Sequence, residues 1–401
     1  MSLTRKSLAL LLALALVFVM FVACGKAADK GADAAGGDEA EQIIIGYIGA
    51  LTGESAAYGE VALNVLKLLV EDTNNEGGLL GKEVVLKTYD NRGDPVETTN
   101  AARKAIQSDK VVCFIGPDAS SGAIALDEVC KEYKIPHITN VGTNYKVTQN
   151  EEDGSVRPYS FRACLSDPQL GDVIAGYAID EMNATKAAIL YDVALEYSVG
   201  VMENFVESFE EKGGTVVITE AFKTGDNDFR AQLSKMKDVG GFDVFLVPCT
   251  YKEIALITSQ ARALGIEATF LGGDAWMNND LFSLAEESVQ GSMFPNAMDM
   301  DDPALDEFKA RFREAYGTEV DQVGTDGYMA YDSYMIVKNA IEKSGTGLPE
   351  DIRDQMAKTT DVQGLSTKIT IDPETHNPLR NAAIYTIEGT DFVKVTDYKL
   401  N

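Results

Sequence analysis

The residues best suited to chemistry lie in short loops where an apolar run gives way to a helical pattern. After Val111–Ile115 comes Gly116-Pro117-Asp118-Ala119-Ser120-Ser121-Gly122, small and hydroxylic, opening directly into a helix. The unused N–H groups of a first helical turn, together with the hydroxyls of Ser120 and Ser121, make an uncharged anion site that can hold a carboxylate without a lysine. The same serines would also serve as a plain N-cap. A second loop, Thr139-Asn140-Val141-Gly142-Thr143, follows Ile135–Ile138 and offers carbonyls and another hydroxyl, or is an ordinary turn. A third, Gly272-Gly273-Asp274-Ala275-Trp276, follows Thr269–Leu271 and puts a carboxylate beside the single tryptophan of the chain. An aspartate there suits a ligand ammonium in a closed cleft, where a charge-assisted contact is far stronger than in open water. Alternatively Asp274 caps a helix beginning near Asn278, and Trp276 is core. Tyr58 and Tyr197 stand by two further loops, as lining or as packing residues.

These groups do not assemble into a catalytic set. The sequence contains no GxGxxG, GxSxG or HExxH, and its Gly-Lys pairs lack the rest of a phosphate-binding loop. Two histidines, His137 and His376, and cysteines without CxxC spacing suggest no metal, and no cofactor is implied. Cys113 and Cys130 form a conceivable disulfide in an exported protein, or remain buried thiols. The acidic run Asp299-Met300-Asp301-Asp302 departs from EF-hand spacing. With 35 Lys+Arg against 63 Asp+Glu, a net charge of −28 and no basic block, nucleic-acid binding is excluded.

The N-terminus has a separate purpose. Arg5 and Lys6 precede an apolar run, Leu8 to Ala23, that is too short for an ordinary membrane span and has the form of a secretory signal. It ends in Phe21-Val22-Ala23-Cys24-Gly25, which resembles a bacterial lipobox with Phe21 in place of the usual Leu, making Cys24 the expected lipidation site. Residues 24–42, rich in Gly, Ala, Asp and Lys, read as a flexible linker. Loss of residues 1–23 leaves the mature chain at −30.

The elements that must position the loops are of one kind. From Ile43 onward, β-branched runs alternate with amphipathic segments, the pattern of βαβ units around mainly parallel sheets. Strands are expected at Ile43–Ile48, Val84–Tyr89 and Val111–Ile115, with helices over Tyr58–Asn75, Val96–Gln107 and Ser121–Tyr133. After a break between Pro158 and Pro168 the pattern restarts as a second α/β lobe, with strands Ala187–Tyr191, Thr215–Ala221, Asp243–Val247 and Thr269–Leu271. Two long helical patterns, Pro303–Tyr316 and Gly327–Lys343, need a sheet to cover. The chain closes on Thr367–Ile371, Ala382–Ile387 and Phe392–Val395, with no helix between them, so antiparallel pairing is expected. In open α/β sheets ligands bind beyond the carboxyl ends of strands, which is where the three loops fall.

The stretch Ile44-Ile45-Gly46-Tyr47-Ile48-Gly49-Ala50-Leu51-Thr52-Gly53, with Ala57-Tyr58-Gly59 and Asn74-Asn75-Glu76-Gly77-Gly78-Leu79-Leu80-Gly81, strongly resembles the opening of substrate-binding proteins of branched-chain amino acid ABC transporters. Ile115-Gly116-Pro117, Ser120-Ser121, Gln260-Ala261-Arg262-Ala263-Leu264-Gly265 and Gly272-Gly273-Asp274 also have counterparts in that Leu/Ile/Val-binding family, and the similarity spans residues 43–401. The resemblance implies a type I periplasmic binding protein: two doubly wound lobes joined by three crossover strands, residues 43–163 with 294–360 and residues 164–293 with 361–401, closing on an amino acid. It implies that Ser120 and Thr143, with nearby amides, hold the α-carboxylate, that the Val141 carbonyl and Asp274 take the ammonium, and that Tyr58 and Tyr197 line the pocket. Thr250-Tyr251 stands near an aromatic pocket position, making Tyr251 its candidate replacement, and Val141-Gly142 replaces the commoner Ala-Ala. The implied partners are an amino acid, ABC permease subunits and the membrane through a lipid anchor, outside the cytoplasm. A ligand-binding part of an extracellular sensor, or a receptor for another carboxylate or amide, is the alternative; an enzyme is disfavoured.

Overall fold

The structure, a computed structural model, describes residues 42–53, 55–285 and 287–398. The leader, Cys24 and the linker lie outside the described residues. The first sheet is built from β1 (Ile43–Gly49), α1 (Ala56–Asn75), β2 (Val84–Asp90), α2 (Pro95–Lys104), β3 (Cys113–Ile115), α3 (Ser120–Tyr133), β4 (His137–Thr139) and β5 (Ser160–Arg162). Its five strands are all parallel, in the order β2-β1-β3-β4-β5. Local chemistry sets the boundaries. Asp94 accepts the N–H groups of Val96 and Glu97 ahead of Pro95, which fixes the start of α2. On α1, Val61, Val65, Leu68 and Leu69 recur at helical spacing and are buried against the sheet.

The second sheet is built from α4 (Asp167–Asp180), β6 (Lys186–Asp192), α5 (Glu196–Glu211), β7 (Thr215–Phe222), α6 (Arg230–Val239), β8 (Val244–Leu246), α7 (Tyr251–Ala263), β9 (Thr269–Leu271), α8 (Asp280–Ala285) and β10 (Met293–Asn296). The chain then returns to the first lobe as α9 (Asp306–Tyr316), α10 (Asp326–Ser344) and α11 (Pro349–Met356). There Tyr334 on α10 donates to Thr73 of α1 at 2.7 Å, and Tyr316 donates to the Asn64 carbonyl at 3.0 Å. A small antiparallel hairpin, β11 (Val362–Gln363) and β12 (Lys368–Ile369), is tied to α10 by the Leu365 N–H on Asp332 at 2.9 Å. Finally β13 (Ala382–Glu388) and β14 (Asp391–Tyr398) complete the second sheet, in the order β14-β13-β10-β9-β8-β6-β7. It is parallel from β7 to β10 and antiparallel at β13 and β14, as expected for the last two strands.

The molecule is therefore an α/β protein of two lobes, each with a mainly parallel sheet. The chain passes between the sheets after β5, after β10 and after the hairpin. β10 stays in the second sheet to Asn296, and the chain is still bonded to the first lobe at Asn377 and Arg380, so it crosses for the third time just before β13.

Three features differ from expectation. β5 and β10 carry no sequence signal of their own, and Thr367–Ile371 shrinks to the two residues of β12 in a separate hairpin. The four described cysteines, Cys113, Cys130, Cys164 and Cys249, are free and buried, so the Cys113–Cys130 bridge is not made. Among the described residues no helix is long and apolar enough to cross a membrane.

Candidate functional site

The carboxyl ends of both parallel sheets face a common cleft. On the first lobe, Ser120 is the first residue of α3 and is buried; Ala119 occupies the cap position and makes no side-chain cap. Neither serine is the N-cap, so the hydroxyls and the N–H groups of this turn are not spent on capping. The Ser120 Oγ accepts the Asn144 N–H at 3.1 Å, which leaves its own proton to donate outward. Ser121 follows, half-buried, on the same first turn.

Thr143 and Val141 come from the loop after β4. Val141 is half-buried, while the Thr143 hydroxyl is buried beside the Asp167 carboxyl. The loop is held by a residue that sequence reasoning missed. Arg162, at the end of β5 and fully buried, donates to the carbonyls of Gly142 at 3.0 Å, Thr143 and Asn144 at 2.7 Å, and to the Thr148 hydroxyl at 3.1 Å. The Thr143 carbonyl also accepts the Asp167 N–H at 2.8 Å. Burial lowers the affinity of the Arg162 guanidinium for its proton, but an arginine stays charged. A fixed positive charge thus lies beneath the hydroxylic loop, with the buried carboxyl of Asp167 near it. The only sequence signal was a lone arginine inside the apolar run Phe161–Leu165.

On the second lobe, Asp274 opens a short 3₁₀ turn just past β9. It does not cap the following helix, because the Asn278 side chain accepts the Asp280 N–H at 2.9 Å instead. Burial lifts the Asp274 carboxyl to about 6, against the Tyr197 hydroxyl and the N–H groups of Asp274 and Ala275, which pull it down. None of the ion pairs among the described residues involves it. Tyr197 is buried beside it and accepts the Ala275 N–H at 3.4 Å. A Cβ on Gly273 would come within 2.2 Å of the Tyr197 hydroxyl. Gly273→Ala is therefore expected to push Tyr197 off Asp274 and to weaken ligand binding at least tenfold, about 1.4 kcal/mol, which an isothermal titration reads directly.

Trp276 is a correction. Its indole is fully buried, donates to the Val247 carbonyl at 2.8 Å and stacks on Phe294 at 6.4 Å, and a Cβ on Gly272 would strike its ring at 2.0 Å. It belongs to the core of the second lobe and stiffens the base of the Asp274 loop without facing the cleft.

The tyrosines join the lobes. Tyr58, on α1, accepts from the Asn278 side chain of the second lobe at 2.9 Å, and its ring lies 6.2 Å from that of Tyr251, the first residue of α7. Other bonds cross as well, among them the Asn279 N–H to the Gln322 carbonyl at 3.1 Å and the Asn144 side chain to the Glu196 carbonyl at 2.8 Å, with the Lys146–Glu196 ion pair at 3.6 Å beside it. Tyr58 thus meets Tyr251 and Asn278, Tyr197 meets Asp274, and Ser120 meets the Asn144 turn, all in or beside the loops that follow the parallel strands of the two lobes. That arrangement binds a small polar molecule; among the described residues no cluster of His, Cys, Asp and Glu could hold a metal.

Two lobes closing on a cleft at the carboxyl ends of parallel sheets define a solute receptor, and residues 42–391 match the family described as periplasmic binding protein. The chain belongs to that family of exported, non-enzymatic solute-binding proteins. More narrowly, it falls among the substrate-binding proteins of branched-chain amino acid ABC transporters. The Leu/Ile/Val-binding protein BraC3 of Rhizobium johnstonii is 29% identical over 304 residues, 76% of this chain and 80% of that protein. The crystal structure of the leucine-binding protein LivK from Thermotoga maritima superposes with a TM-score of 0.81 at 30% identity, covering 89% of this chain and 99% of that one. LivJ of Streptococcus pneumoniae, solved in complex with isoleucine, gives 0.78 at 28% identity over 88% of this chain and 100% of its own.

Proposed function

We propose that the protein captures an amino acid between its lobes and delivers it to the permease subunits of an ABC transporter, held to the outer face of the cytoplasmic membrane by lipid on Cys24. The observation that carries this is the pairing of unlike sites across the cleft. The amides of the α3 turn with the Ser120 and Thr143 hydroxyls suit an α-carboxylate, and Asp274 with the Val141 carbonyl suits the α-ammonium. Tyr58, Tyr197 and Tyr251 border the same space. Each lobe holds half of the complement to a zwitterion, so the ligand contacts both halves only in the closed form and stabilises closure by that difference. BraC3 and LivJ, named for or solved with branched-chain amino acids, support the reading.

A thermal-shift screen of the purified protein against amino acids and simple carboxylates tests it. A zwitterion at 100 times its dissociation constant adds about 2.7 kcal/mol of stability. A response to a simple carboxylate, with silence from every zwitterion, would remove Asp274 from the role. Lipidation is checked by the mass of the mature N-terminus, with and without Cys24→Ser.

A further inference from the structure

Near Asp274 lie three more carboxyls: the buried Asp167, which faces it and Arg162, and then Asp118 and Asp326. Asp118, in the loop between β3 and α3, accepts from the Tyr47 hydroxyl and from the Asn140 side chain at 2.7 Å. Asp326, the first residue of α10, is only 7% exposed, and its Oδ1 has no hydrogen-bond partner. Asp326 is near enough to both Asp118 and Asp274 that, after burial, their charges are what push its carboxyl further up, and its own charge acts on the buried Tyr47 and on Tyr58. No ion pair among the described residues neutralises Asp118, Asp274 or Asp326, and they do not converge closely enough to share a metal. A cleft serving only an apolar side chain would gain nothing from such groups, since a buried carboxylate without a partner is costly. Separated rather than clustered, they match a ligand with positive charge at two points along its length.

We propose that the ligand is a cationic amino acid such as lysine, ornithine or arginine, its α-ammonium on Asp274 and its side-chain cation between Asp118 and Asp326. This rests on the amino-acid reading above and narrows it. Tyr47 and Asn140 orient Asp118, while Asp326 keeps lone pairs uncommitted for the incoming donor. The two partners differ in kind: one is braced, the other supplied by the ligand.

Calorimetry of the purified protein with L-lysine, L-arginine and L-leucine at pH 7.5 tests the assignment. The expected result is at least tenfold tighter binding of a basic amino acid than of leucine, with Asp326→Asn reducing that preference to within about threefold. Asp118→Asn, read in the same way, provides a second variant should the first fold poorly. The melting temperature of ligand-free Asp326→Asn is expected to equal or exceed that of the parent, because a buried carboxyl oxygen without a hydrogen-bond partner is replaced by a group of the same shape that cannot ionise. Tighter binding of leucine than of lysine and arginine overturns the cationic ligand and leaves the amino-acid receptor standing. Absence of binding by all three and by every other amino acid overturns both. A lower melting temperature with unchanged ligand preference makes Asp326 a packing residue and also overturns the inference.

Discussion

Asp274→Ala lowers the affinity for the amino acid by about 30-fold or more, roughly 2 kcal/mol, because truncating one partner of a desolvated charge pair leaves the other charge buried without a counterion. Calorimetry on the variant reads the loss, and an unchanged affinity would take Asp274 out of the site. The carboxyl also predicts a pH profile. Facing it are the Tyr197 hydroxyl, its own and the Ala275 N–H groups, and the carboxyls of Asp167 and Asp326. It titrates at about 6, and only the ionised form binds an ammonium, so affinity falls by up to about tenfold per unit below pH 6. In Asp274→Asn that limb of the profile is lost. The effect on the ligand-free fold has the opposite sense. The folded-state value is raised from 3.8 to about 6, so the native state binds more protons than the unfolded chain in that interval. The stabilising contribution is complete below about pH 4 and is lost as pH rises through about 6. At pH 7.5 the variant should therefore melt no lower than the parent, which separates loss of binding from loss of fold.

Arg162→Met is expected to destabilise the protein by about 3–5 kcal/mol, the range for breaking a buried charged network. One side chain supplies donors to three successive carbonyls, Gly142, Thr143 and Asn144, and to Thr148; without it those acceptors are buried and unpaired. Urea unfolding should show a lower midpoint with an unchanged slope, and the surviving folded protein should bind its ligand less tightly because the Thr143 loop is no longer pinned. Arg162→Lys tests whether charge or shape matters. A lysine restores the charge but cannot spread donors over three carbonyls, so it should recover less than half of the loss. Full recovery with lysine would show that the guanidinium fork is dispensable.

The long elements were legible because one face of each is apolar at a fixed period. Ile43–Gly49 and Val61 to Leu69 could hardly be read otherwise. β5 and β10 were not, for a physical reason: they are short strands, β5 at the edge of its sheet and β10 inside its own, that sit where the chain changes lobe. β5 ends in a buried arginine whose partners are backbone carbonyls and leave no trace in the side-chain pattern. β10 contains Pro295, which argues against a central strand. It is tolerated because β10 pairs with β9 only at Met293, so the missing N–H breaks no ladder bond there. Ser120, Thr143 and Asp274 stand out in the sequence because they lie in the loops just past strand ends. Asp326 was not, because it opens a helix some fifty residues later in the chain and meets the cleft only through the third dimension. Trp276 was misjudged because a strand-end loop can turn a large ring back into its own core as easily as toward solvent.

The Tyr58–Asn278 bond has a consequence for signalling. It contains no ligand atom, so it forms at every closure, loaded or empty. A permease that recognises the shut receptor must therefore tell a productive visit from a false one, and the background of false visits is set by this bond together with the Asn279–Gln322 and Asn144–Glu196 bonds. A neutral hydrogen bond adds only about 1 kcal/mol, a factor of roughly five in the shut fraction. Such bonds favour the shut form alike for loaded and empty receptor, so the difference between the two rests on the contacts that the ligand itself makes across the cleft.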